Sequence, residues 1–115
     1  MSSQCSLYTS SISVLYDTTK GTCHQFACAM AVEFRDRNIR CNAVCPGFIE
    51  TPHGLCEVRD LNALGVNVSD AAIAAVQGRI GRLEEVAEGA LFLASDAASF
   101  VNGARLFVDN GFTVI

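Results

Sequence analysis

The chain has 115 residues, enough for one small domain. Half of them are hydrophobic and 17% are charged, which describes a globular protein rather than a disordered one. A formal net charge of −4 excludes a general nucleic-acid binder, which needs a basic face, and excludes docking on an anionic membrane surface.

Residues 1–14 are serine-rich, lack a helical period, and are expected to be a strand end and loop. From about Tyr16 the pattern turns helical. Cys23, Phe26, Ala27, Met30, Ala31 and Phe34 form an apolar stripe of 3.6-residue period that predicts a core-facing helix face. "EFRDRN" closes this helix with charge, and Asn38 is its stop. In "IRCNAVCPG", Ile39, Cys41, Ala43 and Cys45 alternate with Arg40, Asn42 and Val44, which predicts a strand ended by Pro46 and Gly47. Residues 48–68 show no clear period and carry Pro52, Gly54 and Gly65. They are expected to form a long loop that shapes a pocket. Ser69 or Asp70 caps a short helix, "AAIAAVQ", and "GRIGR" is a turn. Leu83, Val86, Ala87, Ala90, Leu93 and Ala94 mark a further amphipathic helix, with Glu84, Glu85 and Glu88 in its first turns, where the helix dipole favours acids. "SDAASFVNG" is a loop or single turn, "ARLFVD" a second strand, and "NGFTVI" a tail. Strands alternating with helices imply an α/β protein with a parallel sheet.

The six cysteines (Cys5, Cys23, Cys28, Cys41, Cys45 and Cys56) lack a Cys-x-x-Cys pair and read as reduced, apolar side chains. Cys41 and Cys45 would share one strand face at roughly 13 Å, too far for a bridge. No metal is expected, because His24 and His53 lack ligand spacing. No apolar run approaches the ~20 residues of a membrane helix. "MSSQCS" shows no secretory signal, so a cytoplasmic location is expected.

"YDTTKG" holds the only lysine, against seven arginines. Tyr16 and Lys20 are four apart, on one helix face. A tyrosine has an ordinary pKa near 10 and serves poorly as a proton donor or base at neutral pH. A neighbouring ammonium favours the phenolate, which is the tuning that general acid–base chemistry needs. A compact ammonium with rotatable donors also suits ribose hydroxyls better than a planar guanidinium. Ser3 lies thirteen residues before Tyr16, and "NAVCPGFIETP" begins twenty-two residues after Lys20, at the end of a strand. Open α/β sheets bind ligands at the carboxyl ends of their strands.

With these spacings, and with the ending "GRIGRLEEVAEGALFLASDAASFVNGARLFVDNG", the chain resembles the C-terminal half of the short-chain dehydrogenase/reductase family from about Ser2 to Phe112. The resemblance implies that residues 1–115 are the second half of one Rossmann-type domain with a doubly wound parallel sheet. It implies an NAD- or NADP-dependent oxidoreductase acting on a small carbonyl/alcohol pair, assembled as a homodimer or homotetramer. Tyr16 would be the general acid or base. Lys20 would tune it and bind the nicotinamide ribose, and Ser3 would hydrogen-bond the substrate oxygen. Pro46 and Gly47 would lie beside the nicotinamide, while the Ile49 backbone and Thr51 hydroxyl would hold its carboxamide. Phe48 and His53 would sit at the substrate lip.

The family's Gly-rich phosphate cradle and catalytic asparagine have no counterpart among these residues and would lie upstream of Met1. The 115 residues by themselves are therefore expected not to turn over, and the alternative reading is a truncated, inactive interaction or oligomerisation module. Leu83, Asn102 and Asn110 stand where proline, threonine and glycine are usual, and read as loop variation. His24 reads as a surface or packing residue, and Asp17 as a first-turn helix acid.

Overall fold

The computed structural model describes residues 1–3 and 13–114, so the expectation for residues 4–12 lies outside the described residues. Helix α1 spans Val14–Glu33 and starts two residues earlier than its apolar pattern suggests. Ser13 explains the extra turn: its carbonyl accepts from the Asp17 amide (2.8 Å), and its hydroxyl donates to Asp17 Oδ2 (2.8 Å). Asp17 is a first-turn acid of α1, as expected, and it is buried. Thr18, Thr19 and Thr22 satisfy their hydroxyls on carbonyls of the preceding turn.

Strand β1 covers Ala43–Pro46 and pairs in parallel with β2, Arg105–Val108, with Ala43 opposite Arg105 and Pro46 opposite Val108. Ala43, Cys45 and Phe107 face α1, where Ala27 meets them. Leu106 and Val108 face the other way, close to Gly89 of α4 (Leu83–Ala94). Helices thus cover both faces of the sheet, which is why "AVC" and "LFV" read as continuous apolar runs. The stripe expected on α1 is split. Ala27 and Ala31 are buried, whereas Cys23 is exposed and Phe26 is 64% exposed. A sheet of two strands among the described residues is too narrow to cover so wide a stripe.

The strand is shorter than its alternation predicts, because side chains replace the ladder at residues 40–42. Asn102 accepts from the Cys41 amide (2.8 Å) and donates to Ala31 O (3.0 Å), and Asn42 bonds Val101 O and the Ala104 amide. Arg40 donates to the carbonyls of Leu93 (2.8 Å), Ser95 (3.1 Å) and Val101 (3.2 Å). Asn102 is therefore a structural tie, not neutral loop variation.

Helix α2, Pro52–Ala63, occupies much of the stretch expected to be a loop. Thr51 caps it, accepting from the Gly54 amide (3.0 Å), and Pro52 fills the first helical position, where its missing N–H costs nothing. No residue of α2 is buried, so no apolar stripe betrays it in the sequence. Helix α3, Asp70–Gln77, is capped by Ser69 as expected, and Gly78 ends it at φ 80°. At the start of α4 the Arg82 amide donates to Glu85 (2.8 Å), and the Arg79 guanidinium beside it (2.9 Å) holds the Glu85 carboxyl down at about 2. Asn110 adopts φ 49°, which asparagine tolerates, and its amide donates to Gln77 O (2.8 Å). It too has a tie to make.

Candidate active site

Met1–Ser3 run along the outer side of β1. The Ser2 amide donates to Val44 O (3.0 Å), and the Ser2 hydroxyl reaches Lys20 O of α1 (2.8 Å). These two bonds bring Ser3, a buried residue, to the same place as the start of α1. At the carboxyl end of β1 the chain turns at Pro46–Gly47, and the last ladder bond is Gly47 N to Val108 O (3.1 Å). Residues 48–50 continue beside Gly81: its amide donates to Phe48 O (2.9 Å), and the Glu50 amide donates to Gly81 O (2.8 Å).

A cavity of about 360 Å³ opens at this end of the sheet. Ser3, Tyr16 and Lys20 line one side, and Pro46, Gly47, Phe48, Ile49, Thr51 and His53 line the other. Every residue expected at the catalytic, cofactor or substrate-lip positions thus borders one cavity. Tyr16 and Lys20 do meet across one helical turn, but Lys20 Nζ lies over the Tyr16 ring, 5.2 Å from its centroid, in a cation–π contact. Phe48 turns its ring edge-on to Phe112, with centroids 6.2 Å apart. His53 is in the first turn of α2.

The donor set fits the nicotinamide half of a dinucleotide. The Thr51 hydroxyl accepts the cap bond from Gly54, which leaves its own proton to donate to a carboxamide oxygen. The Lys20 ammonium offers donors for sugar hydroxyls. Ile49, Ile80, Leu83 and Val86 add apolar wall for a flat ring.

Sequence reasoning overlooked two contributors. The first is α2, whose Leu55, Glu57 and Val58 border the cavity. The second is Gln77, buried beneath the Gly47–Phe48 turn and bonded to it. The signal for Gln77 was a lone amide ending the apolar run "AAIAAV".

A family profile described as enoyl-(acyl carrier protein) reductase matches residues 1–113. The chain is 39% identical over 101 residues to 2-(R)-hydroxypropyl-CoM dehydrogenase of Xanthobacter autotrophicus, covering 87% of this chain and 38% of that protein. Its structure superposes on a short chain dehydrogenase family protein of Francisella tularensis with a TM-score of 0.88 at 26% identity, covering 99% of this chain and 49% of that one. A putative 2-deoxy-D-gluconate 3-dehydrogenase of Agrobacterium tumefaciens with bound NADP gives 0.84 at 30% identity, covering 99% and 45%. The chain spans less than half the length of each of these proteins. Profile, sequence and superposition agree: this chain belongs to the short-chain dehydrogenase/reductase family and carries part of its Rossmann-type α/β fold.

Proposed function

We propose that this protein is an NAD- or NADP-dependent oxidoreductase that interconverts a small carbonyl compound and its alcohol, and that residues 1–115 are the C-terminal half of one such domain. The observation that carries the proposal is the convergence of Ser3, Tyr16 and Lys20 with the Pro46–Gly47 turn on one cavity at the carboxyl end of β1. The nicotinamide, when bound, supplies or accepts the hydride. Tyr16 gives its hydroxyl proton to the carbonyl oxygen in reduction and takes it back in oxidation. Lys20 shares its helix face, favours the phenolate through its charge, and offers donors to the ribose. Ser3 donates to the substrate oxygen as negative charge grows there. Thr51 and the Ile49 backbone hold the carboxamide, with Phe48 and His53 at the mouth.

The NADP-bound relative and the secondary alcohol in the name of the Xanthobacter relative support this class of cofactor and substrate. The described cysteines carry free thiols, the state a reducing compartment maintains, so a cytoplasmic location belongs to this reading. Assembly as a homodimer or homotetramer belongs to it too, since α1 leaves Leu15, Phe26 and Val32 exposed.

The same exposed side chains favour a second reading, in which the chain is a catalytically inactive interaction module. Turnover separates the two. Tyr16→Phe removes the transferable proton while keeping the ring that packs under Lys20. It is expected to lower kcat by about 10²–10⁴-fold with an unchanged circular dichroism spectrum. Parent-like turnover in Tyr16→Phe would remove Tyr16 from the mechanism. A parent chain that includes the upstream half of the domain, yet neither turns over nor quenches NADH or NADPH fluorescence at saturating cofactor, would leave the interaction module.

A further inference from the structure

Gln77 is the last residue of α3 and is 2% exposed. A buried amide is costly unless its hydrogen bonds are made. Here the whole side chain is used: Oε1 accepts from the Phe48 amide (2.8 Å), and Nε2 donates to Phe48 O (2.9 Å) and to Arg79 O (2.9 Å). The network fixes which way the amide points, since exchanging its O and N would set an NH₂ against the Phe48 N–H.

The position of these bonds gives them a consequence. The β1–β2 ladder ends at Gly47 N, one residue before Phe48. Gln77 therefore takes up the Phe48 amide from a side chain and shares the Phe48 carbonyl with the Gly81 amide (2.9 Å). It also dictates the residue at 47. A Cβ there would collide with Gln77 Oε1 and lie 3.1 Å from Asp109 Cβ. Asn110 braces the same helix end through Gln77 O (2.8 Å).

We propose that Gln77 is a positioning residue for the nicotinamide seat. It holds the Pro46–Gly47–Phe48 turn at the height that sets the cavity wall and the reach of Ile49 and Thr51. The proposal rests on the nicotinamide reading of the cavity. It follows that binding of the nicotinamide half alone depends on a side chain placed behind the turn, outside the cavity lining.

The probe is reduced nicotinamide mononucleotide, which carries the ring and its ribose without the adenosine half, titrated by its fluorescence into the full protein. Gln77→Met keeps an unbranched side chain of similar length and removes all three hydrogen bonds. It is expected to weaken the probe's binding about tenfold and to speed exchange of the Phe48 amide by at least about tenfold. The Ala43 amide, bonded to Ala104 O, should keep its exchange rate.

Parent-like binding or parent-like Phe48 exchange in Gln77→Met overturns the assignment. So does equal acceleration at Ala43, which would mean that Gln77 merely stabilises the fold. If Gln77→Met fails to fold, Gln77→Glu replaces it, keeping the acceptor for the Phe48 amide and losing both donors. Weakened probe binding with Phe48 protection retained beyond that of Ala43 supports the proposal, and unchanged binding overturns it. A parent that shows no saturable signal refutes the nicotinamide reading, and the proposal with it. A parent that binds as well as its variants refutes Gln77 alone.

Discussion

His24 Nε2 lies 3.3 Å from Cys28 Sγ one helical turn on, while His24 Nδ1 is buried with no hydrogen-bond partner among the described residues. Burial pushes the imidazole below its ordinary value of 6.5, and the positive charge of Arg105 pushes the same way. A folded-state value below the unfolded one means that the unfolded chain takes the proton first. The contribution of neutral His24 is therefore complete above about pH 6.5 and is lost as pH falls through the lower folded value. The urea midpoint should drop as pH falls below about 6.5, and His24→Leu should flatten that part of the curve. A parent-like slope in His24→Leu would assign the pH dependence to other groups. Expecting a surface or packing role for His24 matched its place beside Cys28, but its unpaired nitrogen was not legible. Sequence spacing identifies a neighbour one turn away, not what lies across the interface.

Among the elements, those with a deep apolar face were legible and α2 was not. Helix α4 buries Val86 and Leu93, and both strands are covered on two sides, so their patterns stand out. Helix α2 lies over the cavity with nothing buried, and its only announcement was the Thr51-Pro52 start. The strand ends were misjudged because Arg40, Asn42 and Asn102 do the work of a ladder with side chains, which alternation cannot reveal. Arg40 is the clearest case, since it gathers three carbonyls from two segments. Arg40→Met keeps the aliphatic stem and leaves those carbonyls short of a donor. It should cost about 2 kcal/mol in chemical denaturation, with the m-value unchanged. A loss below about 0.5 kcal/mol would mean that water replaces the guanidinium.

At the scale of the whole molecule the core is thin. The radius of gyration is 15.1 Å, against about 13 Å for a compact domain of this length. Buried apolar residues are mostly small, with Ile73 and Cys45 the largest fully buried side chains among the described residues. A core with so few large residues has little to spare, since whole domains rest on a margin of about 5–15 kcal/mol. Ile73→Ala should therefore destabilise by about 3 kcal/mol and lower the thermal midpoint sharply. A shift no larger than that of Ile73→Val would show that the site collapses around the cavity.

The sequence by itself determined the α/β class, the helix that puts Tyr16 and Lys20 on one face, and the strand-end turn at Pro46–Gly47. Each of these rests on local periodicity or on a residue with few conformations open to it. Only the tertiary structure decided that α2 forms one wall of the cavity and that Gln77 bonds the turn from behind. The bond between Gln77 and Phe48 joins residues 29 apart in the chain. Close packing and hydrogen-bond satisfaction select such contacts once the helices lie on the sheet, and no spacing along the chain encodes that choice.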